Sequence, residues 1–385
     1  MARKIARRGE VPPFFVMEVM RAAAERLATG ADVLHMEVGQ PASPAPEGAR
    51  RAAHAALEND HLGYTVALGM APLREAIAAY YGERYGLSLD PARVVVTTGS
   101  SAGFVLSFLA CFEPGDRVAL AEPGYPCYRN ILGALGVEAV GLPVDHNDRY
   151  QPSVAMLEAL DEPVDGLILA SPSNPTGTMV SPDELAALAR YCDSHGIRLI
   201  SDEIYHGITY GRPEATAIAW DDEAVVINSF SKYFSMTGWR IGWMVVPEAL
   251  LRPVERLAQN LYISAPTLSQ HAALAAFDCR EELDRHVATY AANRDLLMHQ
   301  LPRAGFDRLS QPDGGFYIYA DVAHITDDSD ALCRRILAET GVAITPGIDF
   351  DPLRGHRAMR FSYAGATPDM AEAARRLVTW RNGGR

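Results

Sequence analysis

The sequence predicts an α/β protein in which a mainly parallel seven-stranded sheet is sandwiched by helices and a smaller α+β domain is built from both termini. At 385 residues the chain exceeds what one hydrophobic core usually supports, so two domains are expected. Short apolar runs alternate with helical stretches from Arg93 onward, and after about Leu283 the pattern changes to a long helix, a β-rich piece and a closing helix. The large domain is therefore predicted at residues 46–283, and the small domain at residues 1–45 and 284–385.

The N-terminal part carries helical patterns and one short strand. Apolar spacing predicts a helix over Phe14–Ala28, and a strand is predicted over Val33–Val38. Helices follow over Glu47–Leu57 and Pro72–Tyr85, the second with proline in its first turn. Because about the first forty residues have no sheet of their own to pack on, we expect them to join the small domain.

Seven short apolar runs supply the sheet of the large domain. Alternation of such strands with helices is typical of a parallel sheet covered on both faces, and ligands of such sheets bind at the carboxyl ends of the strands. The predicted strands are Val94–Thr97, Val118–Ala121, Val137–Gly141, Gly166–Ala170, Ile197–Ser201, Val225–Asn228 and Trp243–Val246. The helices predicted between them are Ser101–Phe112, Tyr125–Leu135, Ser153–Leu160 and Pro182–His195. The small domain is predicted to contain strands at Phe316–Val322, Val342–Pro346 and Met359–Tyr363 and a closing helix at Pro368–Trp380.

Composition and charge limit the classes of function. A hydrophobic fraction of 48% and a charged fraction of 22% are ordinary for a soluble globular protein. The formal net charge of -13 argues against a general nucleic-acid or anionic-membrane surface. The N-terminus lacks the apolar region of a secretory signal, and no apolar run is long enough to span a bilayer. The five cysteines form no CxxC pair and no zinc-like cluster, which favours buried thiols in the reducing cytoplasm and no metal site.

Lysine is rare in this chain. Lysine and arginine together number 35, and only Lys4 and Lys232 are lysines. Arginine stays protonated and is unsuited to act as an amine nucleophile, whereas lysine can lose its proton and form a Schiff base. Lys232 lies in VVINSFSKYFSMTGWRIGW, where an apolar strand ends in serines that can bond an anion and Arg240 follows. From these residues alone, a surface loop with incidental serines explains the pattern equally well.

Other strand ends carry polar residues of different kinds. Gly99, Ser100 and Ser101 follow the first strand and open a helix, which offers free N–H groups to a phosphate. Asn174 lies in the turn SPSNPTG, and Asp202 follows a buried strand, where a carboxylate needs a positive partner. Each of these loops alone is explained by ordinary turn and cap chemistry.

Taken together, the strand ends suit one ligand. They offer a phosphate site, an amide and an acid, and to these the chain adds the aromatic Tyr125 and the amine of Lys232. A phosphorylated aromatic aldehyde with a ring nitrogen satisfies all of these groups. The sequence therefore indicates pyridoxal 5′-phosphate as the cofactor.

Four motifs make the sequence resemble a known family. SPSNPTG, SDEIY, SFSKYFSMTGWRIGW and RFSYA occur in the order typical of the pyridoxal-phosphate aminotransferases of fold type I, class I, in the aspartate aminotransferase superfamily. The resemblance covers nearly the full length of the chain and implies that the large domain binds the cofactor. It also implies a transaminase that moves an amino group from an L-amino acid to a 2-oxo acid by a ping-pong mechanism, as part of amino-acid metabolism.

The resemblance implies roles around the cofactor. Lys232 is expected to form the Schiff base and Asp202 to pair with the protonated pyridine nitrogen. Asn174 and Tyr205 are expected to bond the ring hydroxyl oxygen, and Tyr125 to stack on the ring. Lys232, Asp202 and Tyr205 are thus the expected catalytic residues. The expected phosphate-binding residues are Gly99, Ser100, Ser101, Ser229, Ser231 and Arg240.

The resemblance also implies a substrate site and a partner. Arg360 in RFSYA is expected to hold the substrate α-carboxylate, with Asn174 and the backbone at Gly39. Tyr64 in HLGYTVALG is expected to reach the phosphate of the neighbouring subunit, which implies a homodimer with shared sites. A cis peptide bond before Pro175 is implied as well.

Three of these assignments also have a purely structural explanation. An arginine on a strand, such as Arg360, is more often a surface charge. Tyr205 is also explained as a packing residue, and Ser231 as a turn residue.

The implied chemistry requires opposite charge environments. An amine that takes up a proton near pH 7 must have a pKa far below the lysine reference value of about 10.4. Burial and the nearby Arg240 are both expected to lower the pKa of Lys232. Asp202 is expected to act in the opposite direction and keep the ring nitrogen protonated.

Two other functions and the choice of substrate remain open. A β-eliminating lyase of the C–S type shares the cofactor motifs. A non-catalytic, cofactor-binding regulatory module is disfavoured by the acidic net charge and by the lack of a preceding helix-turn-helix. No arginine marks a site for a second carboxylate, and Phe14 and Phe15 favour an apolar or aromatic side chain, although surface packing explains them equally well. 2-Oxoglutarate is the expected acceptor by family analogy alone.

Overall fold

The computed structural model describes residues 3–383, which form a seven-stranded, a four-stranded and a two-stranded sheet with helices around them. The helices are α1 (Phe15–Ala28), α2 (Glu47–Asn59), α3 (Ala71–Tyr85), α4 (Gly99–Cys111), α5 (Pro126–Leu135), α6 (Val154–Glu158), α7 (Pro182–His195), α8 (Glu248–Leu261), α9 (Thr267–Ala276), α10 (Arg280–Gln300), α11 (Ser329–Thr340) and α12 (Thr367–Gly383). The strands are β1 (Leu34–His35), β2 (Val94–Thr97), β3 (Arg117–Glu122), β4 (Glu138–Pro143), β5 (Gly166–Ala170), β6 (Arg198–Asp202), β7 (Val225–Ser229), β8 (Gly242–Val245), β9 (Arg308–Leu309), β10 (Tyr317–Asp321), β11 (Val342–Ala343), β12 (Thr345–Pro346) and β13 (Ala358–Ser362).

The seven-stranded sheet has the order β2-β8-β7-β6-β5-β3-β4. Only β8 runs against its neighbours, since it pairs antiparallel with both β2 and β7, while β3 to β7 pair in parallel. Six strands therefore point the same way, and their carboxyl ends meet at one edge of the sheet. The predicted mainly parallel seven-stranded sheet is confirmed.

The apolar runs form this sheet because both of its faces are covered. Successive residues of a strand point to opposite faces. Accordingly, Val94 and Val96 pack in one hydrophobic cluster while Val95 packs in the other. Leu167 and Ile168 divide in the same way. Such two-sided burial is what favours continuous runs of Val, Leu and Ile over alternating patterns.

The two ends of the chain meet in the second part of the molecule. Strand β1 pairs in parallel with β11, with Leu34 opposite Val342. Strands β12, β13, β10 and β9 form an antiparallel sheet, in which Arg360 lies opposite Tyr319. The domain boundaries after residues 45 and 283 stay a prediction.

The structure corrects two predicted strands in this part and adds one helix. The strand predicted over Val33–Val38 is only two residues long, because the carbonyl of Glu37 turns away and accepts a hydrogen bond from Thr345 Oγ1 at 2.9 Å. The strand predicted over Val342–Pro346 is divided, since its halves pair with β1 and β13 respectively. Helix α11 was not predicted, although its Leu332, Cys333, Ile336 and Leu337 are spaced as one buried helical face.

Two predictions from composition can also be compared with the structure. All five cysteines are free, but only Cys192 and Cys333 are buried, while Cys111, Cys127 and Cys279 are partly exposed. The expectation of buried thiols was therefore wrong for three of them, and the cytoplasmic location stays a prediction. Within residues 3–383, no helix is long and apolar enough to cross a membrane.

Candidate active site

A cavity of about 200 Å³ lies at the carboxyl edge of the seven-stranded sheet. The ends of β5 and β6, the loop after β7 and the first turn of α4 form one side of it. Residues from α1, the segment after β1, β10 and β13 form the other side. The cavity therefore joins the sheet edge to segments from both ends of the chain.

Lys232 follows the end of β7 and lines the cavity. Its Nζ donates a hydrogen bond to the carbonyl oxygen of Gly39 at 2.6 Å. Burial, together with the positive charges of Arg360 and Arg240, lowers the pKa of Lys232 to about 8. The predicted lowering is confirmed, and Arg360 contributes to it beside Arg240.

Asp202 is the last residue of β6, and only 4% of it is exposed. It accepts hydrogen bonds from the Tyr128 hydroxyl and from the backbone N–H of Ile204 at 3.0 Å. Burial raises the pKa of Asp202 to about 6, against these hydrogen bonds. The carboxylate form therefore predominates at neutral pH and presents a buried negative charge to the cavity.

Tyr128 was missed from the sequence, although a signal for it exists. It stands three residues after the predicted Tyr125 on the same helical run, and residues with this spacing share one face of a helix. The ring centroids of Tyr125 and Tyr128 are 5.2 Å apart in an edge-to-face arrangement. Phe14 packs edge-on against Tyr125 from the other side at 5.9 Å, so three rings form an aromatic wall.

The predicted phosphate-binding residues divide into two groups. Ser100, Ser101, Ser231 and Arg240 line the cavity, together with the unpredicted Thr237. Gly99 and Ser229 lie behind them and do not form part of the cavity wall.

Both residues behind the wall support those in front. Gly99 has a φ of +75°, and a Cβ there would lie 2.5 Å from Nη2 of Arg240, so only glycine lets the backbone come this close to the guanidinium. Ser229 Oγ lies 2.9 Å from Ser231 Oγ and 3.2 Å from the carbonyl oxygen of Ile241. Ser229 therefore holds Ser231 in place.

Arg360 lies on β13 and is 2% exposed, so the reading of it as a surface charge was wrong. Its Nη1 donates to Asn174 Oδ1 at 3.0 Å, and its Nη2 donates to the carbonyl of Glu37. Nε has no hydrogen-bond partner, and no carboxylate of residues 3–383 forms an ion pair with the guanidinium. A buried, unpaired positive charge is costly, and it is satisfied by a carboxylate ligand.

Asn174, Tyr205 and Gly39 complete the predicted set in the cavity wall. The peptide bond between Asn174 and Pro175 is cis, as the resemblance implied. The hydroxyl of Tyr205 lies 2.9 Å from that of Tyr317, a residue that the sequence did not single out. A Cβ on Gly39 would lie 1.5 Å from the Tyr317 hydroxyl oxygen, so glycine is required there.

Tyr64 is the predicted residue that the structure does not bring to the cavity of its own chain. It is 84% exposed, and it belongs to a loop held against α9 by a hydrogen bond from Thr267 Oγ1 to the carbonyl of Gly63.

Helix α1 and the residue before it contribute an apolar wall, of which the sequence analysis had singled out only Phe14 and Phe15. Phe14, Val16, Met17 and Met20 line the cavity mouth, whereas Phe15 does not. Helix α1 has no capping side chain of its own; the carboxylate of Asp349 accepts hydrogen bonds from the backbone N–H groups of Phe15 and Val16, both at 3.2 Å. The apolar wall is thus held at its N-terminus by a residue from the far end of the chain.

Comparison with known proteins gives consistent matches over the whole chain. A sequence model of the family described as "Aminotransferase class I and II" matches residues 31–377. The valine–pyruvate aminotransferase of Mycobacterium tuberculosis is 53% identical over 384 residues, which cover 99% of each chain. The (5-formylfuran-3-yl)methyl phosphate transaminase of Methanocaldococcus jannaschii is 30% identical over 374 residues, which cover 96% of this chain and 97% of that protein.

Solved structures match equally well. A crystal structure of an aminotransferase from Mycobacterium tuberculosis has a TM-score of 0.97 at 53% identity and covers 99% of this chain and 100% of that one. The aspartate aminotransferase of Thermus thermophilus with maleate has a TM-score of 0.92 at 29% identity and covers 98% of this chain and 100% of that one. The arrangement of sheets and helices is therefore the one found in these proteins.

Proposed function

The chain belongs to the class I and II aminotransferases, fold type I enzymes that use pyridoxal 5′-phosphate, and from this premise we propose that it transfers the amino group of an apolar L-amino acid to pyruvate. As a member of the family it is an aminotransferase that acts on an amino acid and a keto acid. The relative that shares 53% identity is named for valine and pyruvate, which supports these substrates here. The apolar wall of α1 is the observation that carries the proposal.

The residues around the cavity fit pyridoxal phosphate. The N-terminus of α4 meets the Arg240 guanidinium at Gly99, Asp202 presents a buried carboxylate, and Lys232 has an amine with a pKa of about 8. When bound, this cofactor supplies an electron-accepting ring that stabilises negative charge on the substrate α-carbon. The proposed phosphate-binding residues are Ser100, Ser101, Ser231, Thr237 and Arg240, with Gly99 and Ser229 supporting them.

The remaining cofactor contacts are proposed as follows. Asp202 holds the ring nitrogen, Asn174 and Tyr205 hold the ring oxygen, and Tyr125 covers the ring. Lys232 would supply the amine that binds the cofactor's aldehyde group, and its free amine would hold or give up the proton of the substrate α-carbon. A pKa of about 8 leaves part of the amine neutral at pH 7, which is the form that accepts a proton. The negative charge of Asp202 and the positive charges of Arg240 and Arg360 give the two ends of the site opposite environments.

Arg360 is proposed to bind the substrate α-carboxylate. Its guanidinium is buried, has a free Nε and lies 3.0 Å from Asn174, which orients it. A carboxylate that forms two hydrogen bonds with a guanidinium is held firmly and in one orientation. The carbonyl of Gly39, which accepts from Lys232 at 2.6 Å, lies at the same end of the cavity.

The substrate side chain is proposed to contact the wall formed by α1. The Arg360 guanidinium lies 4.7 Å from the ring of Phe350, which packs in one cluster with Val16, Phe14 and Met20. An apolar wall beside the carboxylate site favours a branched or other apolar side chain.

The acceptor is proposed to be a monocarboxylic 2-oxo acid. Among residues 3–383, the cavity is lined by only three cationic side chains, Lys232, Arg240 and Arg360, and each already has a proposed partner. A second carboxylate would meet no further cation from the part of the chain that the structure describes. Pyruvate therefore fits better than 2-oxoglutarate, which had been expected by analogy.

We also propose a homodimer in which Tyr64 reaches the neighbouring site. Tyr64 is 84% exposed, and Val66 in the same loop and Leu261 and Ile263 around the end of α8 are more than half exposed. An exposed apolar group of this kind is typical of an interaction surface. Light scattering after size exclusion is expected to give twice the chain mass of 41.8 kDa, and a mass of one chain would contradict the proposal.

The substrate proposal is tested with purified protein, L-valine and pyruvate. Equal amounts of 3-methyl-2-oxobutanoate and L-alanine are expected, at a rate at least about tenfold above that with L-aspartate and 2-oxoglutarate. Faster turnover of the dicarboxylic pair would contradict the proposal. Catalytic release of ammonia and pyruvate from an S-substituted cysteine, which has the β leaving group that valine lacks, would indicate a lyase.

The apolar wall is tested by a matched pair of variants. Phe14→Ala is expected to raise the KM for L-valine about fivefold and to leave that for L-alanine unchanged, because about 1 kcal/mol of apolar contact with the larger side chain is lost. Phe15→Ala, one residue further but outside the cavity, should change neither KM. Equal effects of the two variants on the KM for L-valine would show that Phe14 does not contact the substrate.

A further inference from the structure

Tyr317 touches groups at both ends of the proposed site. It lies on β10, is 2% exposed and lines the cavity. Its hydroxyl oxygen is 2.9 Å from that of Tyr205, and its ring centroid is 4.4 Å from Cζ of Arg360. The same hydroxyl fills the space that a Cβ on Gly39 would need. Tyr317 thus joins Tyr205, through a hydrogen bond, to Arg360, through a cation–ring contact.

Only one order of hydrogen bonds lets Tyr205 donate to the cofactor: Tyr317 donates to Tyr205, and Tyr205 donates to the cofactor ring oxygen. Burial raises the pKa of Tyr205 and of Tyr317, so both hydroxyls keep their proton at neutral pH. A phenol has one proton to donate. If Tyr205 donates its proton to the cofactor ring oxygen, Tyr317 must donate to Tyr205. A chain of hydrogen bonds in this order polarises and strengthens its last member.

The ring of Tyr317 has a separate role. The Arg360 guanidinium lies over this ring and, at 4.7 Å, over the ring of Phe350. Contact with an aromatic face is favourable for a cation and limits its rotation. Because no carboxylate of residues 3–383 holds Arg360, the ring contacts act together with the hydrogen bonds to Asn174, the Glu37 carbonyl and Thr345 to fix its direction.

We propose that Tyr317 is a positioning residue that links the two ends of the site: its hydroxyl directs the proton of Tyr205 towards the cofactor ring oxygen, and its ring holds Arg360 in the orientation that receives the substrate carboxylate. This inference rests on the roles proposed above for Tyr205 and Arg360. It predicts two effects that separate variants distinguish.

The experiment compares Tyr317→Phe, Tyr317→Leu and the control Tyr319→Phe, all loaded with pyridoxal phosphate. Tyr319 lies on the same strand, is equally buried, and packs on Phe350 without contacting Tyr205. Two quantities are measured: the pH at the midpoint of the change in visible absorbance of the bound cofactor, and the KM for L-valine. The first reports the hydrogen bond to the ring oxygen and does not depend on turnover.

Tyr317→Phe is expected to raise the absorbance midpoint by about half a pH unit. Without the hydrogen bond from Tyr317, the Tyr205 hydroxyl is a weaker donor and stabilises the anionic ring oxygen less. The nitrogen that joins Lys232 to the cofactor then holds its proton more tightly. Its KM should stay within about twofold, since the ring remains. Tyr317→Leu is expected to give the same shift and to raise KM about fivefold. Tyr319→Phe should change neither quantity. An unchanged midpoint in Tyr317→Phe overturns the role of the hydroxyl, and equal KM values in the Phe and Leu variants overturn the role of the ring.

Tyr205→Phe separates this inference from the proposed function. If Tyr317 acts through Tyr205, adding Tyr317→Phe to the Tyr205→Phe variant should give no further shift. A midpoint that Tyr205→Phe does not move would contradict the role proposed for Tyr205 itself. A midpoint that moves in Tyr205→Phe but not in Tyr317→Phe would contradict only the inference about Tyr317.

Discussion

The two sides of the cavity are built differently. On the sheet side, Asp202 and Lys232 follow neighbouring strands and come from one continuous region of the chain. Burial shifts the pKa of both groups; Tyr128 and the backbone donate hydrogen bonds to Asp202, and the charges of Arg360 and Arg240 act on Lys232. On the other side, Phe14 of the segment leading into α1 and Arg360 of β13 come from opposite ends of the chain.

This difference suggests a division of work. The sheet side holds the groups needed to move a proton, which any substrate of the enzyme requires. The terminal side holds the carboxylate site and the apolar wall, which decide what binds. Substitutions on the sheet side should therefore lower kcat, and those on the terminal side should raise KM.

The largest effect is expected from Lys232→Arg. The guanidinium keeps the positive charge but neither joins the cofactor nor accepts a proton, so kcat should fall by about a thousandfold or more. Borohydride reduction of the holoprotein followed by peptide mass analysis should place the pyridoxyl group on Lys232. Lys4→Arg, which removes the only other lysine, is the control and should keep full activity. A label on Lys4, or appreciable transamination by the Lys232 variant, would contradict the assignment.

Asp202→Asn should slow exchange of the substrate α-hydrogen with D₂O by about a hundredfold, because the amide stabilises a protonated ring nitrogen far less than a carboxylate does. Exchange is followed by NMR, and cofactor content by absorbance should remain substantial. Glu203→Gln is the matched control, since Glu203 is the next residue and is equally buried but does not line the cavity. Equal slowing in both variants would show that the two buried acids stabilise the folded structure and that Asp202 has no specific role in the exchange.

Arg360→Leu tests the terminal side. Removing the guanidinium should raise the KM for the amino acid about fiftyfold, the contribution of a charge-assisted pair of hydrogen bonds. The dissociation constant of the cofactor, measured by absorbance titration, should change by less than about threefold. Similar losses in both constants would mean that Arg360 has a structural role only, and that the two sides do not divide the work.

The smallest effect is a dependence on pH. The lowered pKa of Lys232, about 8, predicts that covalent attachment of pyridoxal phosphate to the cofactor-free protein speeds up about tenfold from pH 7 to pH 9 and then levels off, because only the neutral amine reacts. An ordinary lysine would continue to accelerate to about pH 10.5, and such a profile would contradict the lowered pKa. In Arg360→Leu the midpoint should move upward, since the charge of Arg360 is one cause of the lowering.

The sequence predicted the sheet side far better than the terminal side, for a physical reason. Strand ends are local features, so Asp202 and Asn174 could be placed at one edge from the apolar runs that precede them. Tyr128 could have been found by helical spacing from Tyr125. Phe14 was singled out, but Tyr317 and the helix residues Val16, Met17 and Met20 were not, because their roles depend on contacts between segments that only the folded chain brings together. A helix that faces a cavity has the same apolar pattern as one that faces a core.

Two contacts of the N-terminal segment form only after the end of the chain has been synthesised. These are the cap that Asp349 places on α1 and the pairing of Leu34 with Val342. A ribosome that has made about three hundred residues has released every side chain proposed to hold the cofactor in this subunit, but neither Asp349 nor Arg360. At that stage helix α1 lacks its capping residue Asp349, and strand β1 lacks its partner strand β11. The groups proposed to hold the vitamin-derived cofactor are therefore synthesised before the cap and the arginine that complete the proposed substrate site.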